Sequence, residues 1–100
     1  MTVTLVTRFV VPNAEVGMAE VKRAKAMWTK AGAKAFRSYQ FLTGAFFNEW
    51  LFHVDFDDLA HMQKCRASVI DSDDLKTINA NNAKVGNKMV GREILLGLDV

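Results

Sequence analysis

Apolar and polar residues alternate with a period of two in four stretches of the chain, and apolar residues recur at steps of three and four between them. Thr2 to Val11 is predicted as the first strand, with Val3, Leu5, Phe9 and Val11 opposite Thr4, Val6, Arg8 and Val10. Lys34 to Thr43 is the second, and its polar content suits an edge. Thr43 and Gly44 turn the chain into the third, Phe46 to Phe56, which makes a hairpin. In that strand Phe46, Asn48, Trp50, Phe52, Val54 and Phe56 share one face, and Phe47, Glu49, Leu51, His53 and Asp55 the other. Val90 to Val100 is the last strand.

Between the strands the period changes. Met18, Val21, Ala24, Trp28 and Ala31 form an apolar stripe on a helix from Ala14 to Ala31. Pro12 ends the strand before it, Asn13 is its expected N-cap, and Gly32 its left-handed C-terminal residue. Asp57 and Asp58 offer the cap of a second helix, with Leu59, Met62, Arg66 and Val69 on one side. Asp71 to Asp74 breaks it and caps a short further helix bearing Leu75, Ile78 and Asn82. Asn79, Asn81, Asn82, Gly86 and Asn87 read as a loop or a frayed end.

The resulting order, β-α-β-β-α-β with one extra short helix, is the ferredoxin-like pattern: an α+β sandwich with both main helices on one face of a four-stranded antiparallel sheet. The first and third strands become central, and these are the two that are apolar on both sides. The face away from the helices would carry too much apolar surface to stay bare, so a second copy of the chain is expected against it. The prediction is thus one domain over residues 1–100, paired as a homodimer.

Composition narrows the class. Half of the 100 residues are hydrophobic, and seven Phe and two Trp are a heavy aromatic load. The 13 basic and 11 acidic residues are interspersed, unlike a nucleic-acid binder. A single cysteine, Cys65, permits no internal disulfide and suits a reducing, cytoplasmic setting. The N-terminal stretch alternates like a strand and has no signal pattern, and no apolar run is long enough to span a bilayer.

Candidate chemistry is sparse. His53 lies on a central strand among aromatics, where a neutral imidazole would accept a proton from a phenolic or enolic substrate; the alternative is a histidine of the dimer interface. His61 falls in the opening turns of the second helix, beside Asp57 and Asp58. These are the only histidines and neither has a partner at helical metal-ligand spacing, so no metal site is expected. Trp28, Trp50 and Tyr39 would wall a planar ligand or simply fill a core. Asn48 would anchor a carbonyl or an oxygen species. Arg66, in the stripe of its helix, would clamp an anion or lay its stem over the core with its head in water. Arg8, Arg37, Glu49, Arg92 and Glu93 are strand charges that would pair across neighbours or across a dimer seam. Cys65 has no acid or histidine partner at fixed spacing.

The element order, the length and the doubly apolar central strands resemble the dimeric α+β barrel superfamily. Tyr39 to Ser68 is similar to its antibiotic-biosynthesis-monooxygenase type: Tyr39, the hairpin, Asn48-Glu49-Trp50, Phe56-Asp57-Asp58-Leu59, then a helix carrying His61. In that type a Glu-x-Trp core runs into an Asp-rich cap, whereas here Glu49 and Trp50 are adjacent and His61 falls about a turn early. The resemblance implies a cofactor-independent monooxygenase or isomerase acting on an aromatic or polycyclic metabolite. The pocket would lie between sheet and helices, lined by Trp28, Trp50 and Phe52. His53 or His61 would be the proton acceptor, and Asn48 or Tyr39 a polar anchor. The rival reading is a non-catalytic dimeric module that binds a hydrophobic small molecule. The two are separated by whether either histidine faces an enclosed cavity.

Overall fold

The computed structural model describes residues 1–100. The chain runs β1 (Val3–Val10), α1 (Ala14–Ala31), β2 (Ala35–Gln40), β3 (Trp50–Phe56), α2 (Leu59–Ile70), α3 (Asp73–Lys84) and β4 (Lys88–Leu96). The four strands form one antiparallel sheet in the order β2-β3-β1-β4. The fold is therefore the ferredoxin-like α+β arrangement, with β1 and β3 central.

Local chemistry sets the helix ends. The Asn13 side chain accepts from the Val16 N–H at the start of α1, and Gly32 at its end adopts φ +98°, a left-handed conformation that glycine takes without steric cost. Asp58 accepts from the His61 N–H at the start of α2, and Ser72 from the Leu75 N–H at the start of α3. Each cap satisfies a backbone donor that the first helical turn leaves without a partner.

Register decides which side chains meet the helices. Thr7 stands opposite Phe52 on one side and Arg92 on the other, and Leu5 opposite Val54 and Ile94. Side chains alternate along each strand, so Val3, Leu5, Thr7 and Phe9 face the helices with Trp50, Phe52, Val54 and Phe56. The core joins Val3, Leu5, Val54 and Phe56 to Met27 and Trp28 of α1, Met62, Cys65 and Val69 of α2, and Ile78 of α3. Phe56 is fully buried, and Trp28 meets it edge-on at 5.7 Å between ring centres.

Five expectations need correction. The third strand begins at Trp50, not Phe46. Residues 44–47 form the hairpin's turn, closed by Phe47 N–H to Gly44 C=O at 3.2 Å, and Asn48 takes φ +68°, which ends the extended run. On α1, Met18 is exposed and Met27 is buried in its place, because the inner face runs through Gly17, Glu20, Ala24, Met27 and Trp28. On α2, the buried row is Met62, Cys65 and Val69, which leaves Leu59 and Arg66 outside. The asparagine-rich stretch is not a loop: α3 continues to Lys84. There Asn81 donates to the Glu20 carboxylate at 3.1 Å, and Asn82 accepts from Asn87 at 3.1 Å, so partners outside the helix engage their side chains. Finally, β4 is placed at Lys88–Leu96, earlier than Val90 to Val100.

Candidate functional site

The helices do not fill the space above the sheet. A cavity of about 230 Å³ remains between α1, α3 and the helix-side face of the strands. Its walls include Leu5, Phe9, Met27, Trp28, Phe36, Trp50, Phe52 and Val54, so both tryptophans of the chain border it. Phe9 and Phe52 meet edge-on at 5.1 Å, and Phe36 stacks on Phe52 at 6.2 Å. Trp50 is held at one end by a close approach: a Cβ at Gly17 would lie 3.0 Å from its ring and 2.6 Å from Val11. Glycine is thus what lets α1 approach Trp50 so closely.

A few polar groups break the apolar wall. Thr7 is buried in the middle of the sheet, and Arg92 points its Nε toward Thr7 Oγ1 at 3.4 Å. Arg92 is an exposed residue of the edge strand overall, but partial burial of its guanidinium pushes the pKa below its ordinary value, and the positive charge of Arg66 acts in the same direction. Arg92 still carries its charge at neutral pH. Glu20 also borders the cavity, is only 3% exposed, and is already engaged by Arg23 Nε at 3.1 Å and by Asn81. No carboxylate lies within 4.0 Å of Arg92. The helix layer stops short of β4, where Met89, Ile94 and Leu96 are each at least half exposed. Met89 and Arg92 therefore mark the open side of the cavity.

The other sequence candidates lie elsewhere. Of those residues, Trp28, Trp50 and Phe52 meet in the cavity wall, while His53, His61, Tyr39, Asn48 and Arg66 are not part of it. His53 sits on the face turned away from the helices, against the Tyr39 ring at 5.3 Å. The strand pleat that sends Phe52 and Val54 inward sends His53 outward. His61 is held between segments: its Nδ1 accepts from the Asp57 N–H and its Nε2 reaches the Gly32 carbonyl, both at 2.9 Å. That pattern suits a neutral ring with the proton on Nε2. Its ring also meets Phe56 edge-on at 5.6 Å, so it ties the end of α1 to the start of α2. Asn48 is exposed in the hairpin loop, and Arg66 is exposed on α2.

Arg92 is the residue that strand patterning alone does not reveal as a site group. The only signal was an arginine in phase with Ile94 and Leu96, and a strand-pairing role explains that equally well. Cys65 is 1% exposed, and burial raises its thiol pKa, which suppresses the thiolate. No group of three His, Cys, Asp or Glu side chains converges as a metal site would require. No helix is long and apolar enough to cross a membrane.

The face opposite the helices has its own character. Asp55 accepts from Thr4 Oγ1 and from Arg37, each at 2.7 Å. The Arg8 guanidinium lies 3.7 Å over the Phe46 ring, with Glu49 at 3.6 Å, and it passes so close to Gly91 that any Cβ there would collide with it. The Arg8 Nε and Glu49 Oε1 atoms are buried without a hydrogen-bond partner. Around this polar centre, Tyr39 and Leu95 are 48% and 49% exposed.

An antiparallel sheet backed by helices on one side, with an aromatic cavity between the layers, defines the class: a ferredoxin-like α+β protein. Solved structures of that fold superpose over nearly the whole chain. Streptomyces nogalater SnoaB, a cofactor-independent oxygenase, matches 99% of this chain and 95% of its own at 14% identity and a TM-score of 0.63. A Bordetella bronchiseptica protein assigned to the antibiotic biosynthesis monooxygenases matches 97% of both chains at 12% identity and a TM-score of 0.65. A dimeric ferredoxin-like protein of unknown function from Thermobifida fusca matches 95% of this chain and 88% of its own at 13% identity and a TM-score of 0.61. At these identities the likeness is one of fold. The sequence itself matches no protein-family model and no curated protein.

Proposed function

We propose that the chain binds a small aromatic molecule in the cavity between sheet and helices, as one half of a homodimer. The observation that carries this is the cavity's composition: two tryptophans and three phenylalanines around a space with few polar groups. Ligand sites are typically apolar hollows with a small number of placed polar groups. The partner is a second copy, seated on the face that carries Tyr39, Leu51, His53 and Leu95; a protein of the same fold is described as dimeric. His53 is then an interface residue, and neither histidine transfers a proton in the cavity. The test is calorimetric titration with one-, two- and three-ring aromatics, beside light scattering for mass. Trp50→Ala abolishing binding in a folded protein supports the site; unchanged binding refutes it.

A second reading is favoured by one observation, the shared fold with a cofactor-independent oxygenase. A substrate that itself activates oxygen needs only an apolar enclosure and a polar anchor, and Thr7 with Arg92 supplies one. Oxygen uptake with hydroquinones and anthrone-like compounds tests it. Uptake that survives His53→Ala and His61→Ala and fails in Arg92→Gln favours this chemistry. No uptake across the panel leaves binding alone.

A further inference from the structure

From the size and charge of the cavity we infer that its ligand is a one- or two-ring aromatic carboxylate whose anionic group is held by Arg92. The inference rests on the cavity being a ligand site. Volume comes first. About 230 Å³ lies below the ~300–1,000 Å³ usual for drug-sized ligands, so a body of one or two rings suits it better than three or four, which would press the layers apart. The end walls resist such opening: Trp50 and Val11 each close on Gly17, and Trp28 packs against fully buried Phe56.

Charge comes second. Two charged side chains border the cavity, and they differ in what they already hold. The Glu20 carboxylate is occupied by Arg23 and Asn81. Arg92 has only the long contact to Thr7, with no carboxylate in reach. It is exposed on the edge strand and borders the cavity, with its Nε toward Thr7. A planar guanidinium with free donors recognises a carboxylate through two parallel hydrogen bonds. Arg66, exposed on α2, adds positive potential and no competing anion. The aromatic body would enter between Phe52 and the tryptophans, and its carboxylate would remain at the mouth beside Arg92.

The experiment titrates the wild-type chain with 2-naphthoate, its neutral relative 2-naphthamide, and the three-ring 9-anthroate, read by calorimetry and by tryptophan fluorescence. Both tryptophans border the cavity, so their emission reports its occupation. Naphthoate is expected to bind on the order of ten- to a hundredfold tighter than the amide, the usual worth of a charge-assisted pair. Arg92→Gln removes that preference and Arg92→Lys keeps part of it, with the amide losing far less than the acid in both. Should a variant not fold, the wild-type ratio of acid to amide decides alone. An amide that binds as tightly as the acid overturns the carboxylate and leaves the cavity site standing. Anthroate binding as tightly as naphthoate overturns the size limit. Binding of no probe overturns the inference and the cavity reading together.

Discussion

The two faces of one sheet use the same strands for different ends. On the helix side, β1 and β3 contribute Val3, Leu5, Val54 and Phe56 to a core with a cavity beside it. On the other side the same strands contribute Thr4 and Asp55, which bond to each other and to Arg37 of β2, Arg8, which faces Glu49 of the hairpin loop, and His53, which packs on Tyr39. One face is stabilised by exclusion of water. The other is a set of charged and polar groups, some hydrogen-bonded and some in looser ionic contact, ringed by half-exposed apolar ones. The first is suited to fold the chain and enclose a ligand, and the second to meet another surface.

The largest expected effect breaks the core side. Phe56→Ala should cost about 3–5 kcal/mol in urea unfolding, as for other buried aromatics. A loss under about 1 kcal/mol would mean that the core does not depend on this ring. Next comes the open face, where Leu51→Lys should weaken the proposed dimer on the order of a hundredfold by leaving a charge unpaired at the seam. Light scattering should then give the mass of one chain, with naphthoate binding retained. A dimer that persists would move the interface elsewhere.

The histidines sharpen the contrast. His61→Ala loses two hydrogen bonds and exposes their partners, so about 1–3 kcal/mol should disappear from unfolding measurements. In a monomeric background such as Leu51→Lys, His53→Ala should cost less than about 1 kcal/mol. Equal losses at both would erase the distinction drawn between a bracing histidine and a surface one.

Gly17→Ala sets two effects against each other. Alanine favours a helix by about 1 kcal/mol over glycine, while crowding in a packed site costs about 1–3 kcal/mol. The added methyl meets β-branched Val11 and the Trp50 ring, so crowding should win by about 1 kcal/mol and shift tryptophan emission. The smallest effect is a slope with pH. Cys65 has a raised thiol pKa, so the unfolded chain ionises first and stability should fall as pH rises through 9.0 toward the folded value. Cys65→Ala should flatten that slope in unfolding measured across the range.

Much of this was readable from residue order. Period-two and period-3.6 stretches gave the strand and helix types; Asn13 and Asp58 cap through their side-chain oxygens, and Gly32 caps because it has no Cβ to hinder a left-handed backbone. Trp28, Trp50 and Phe52 were legible as a wall because they lie on inward faces of adjacent elements. The same alternation forbids His53 from sharing that wall, since odd and even positions of a strand face apart. The hairpin misled because Phe46 and Phe47 look like strand residues, yet Phe46 lies under Arg8 and the turn is made by local hydrogen bonds. On α2, a three-or-four ambiguity placed Arg66 where Cys65 belongs. Arg92 read as a strand charge with a partner, yet no carboxylate reaches it; its interest lies in what is missing around it, and a sequence does not show distances.

The Asn87 side chain accepts from the Asn13 N–H at 3.0 Å and donates to the Asn13 carbonyl at 3.1 Å, across 74 positions of sequence. The joint between β1 and α1 is therefore completed by a residue from the last sixth of the chain. On a ribosome, which delivers the N-terminal end first, that corner waits until Asn87, 74 positions on, has emerged. A chain stopped before Asn87 would keep every residue of its first helix and lack the latch that fixes where the helix begins.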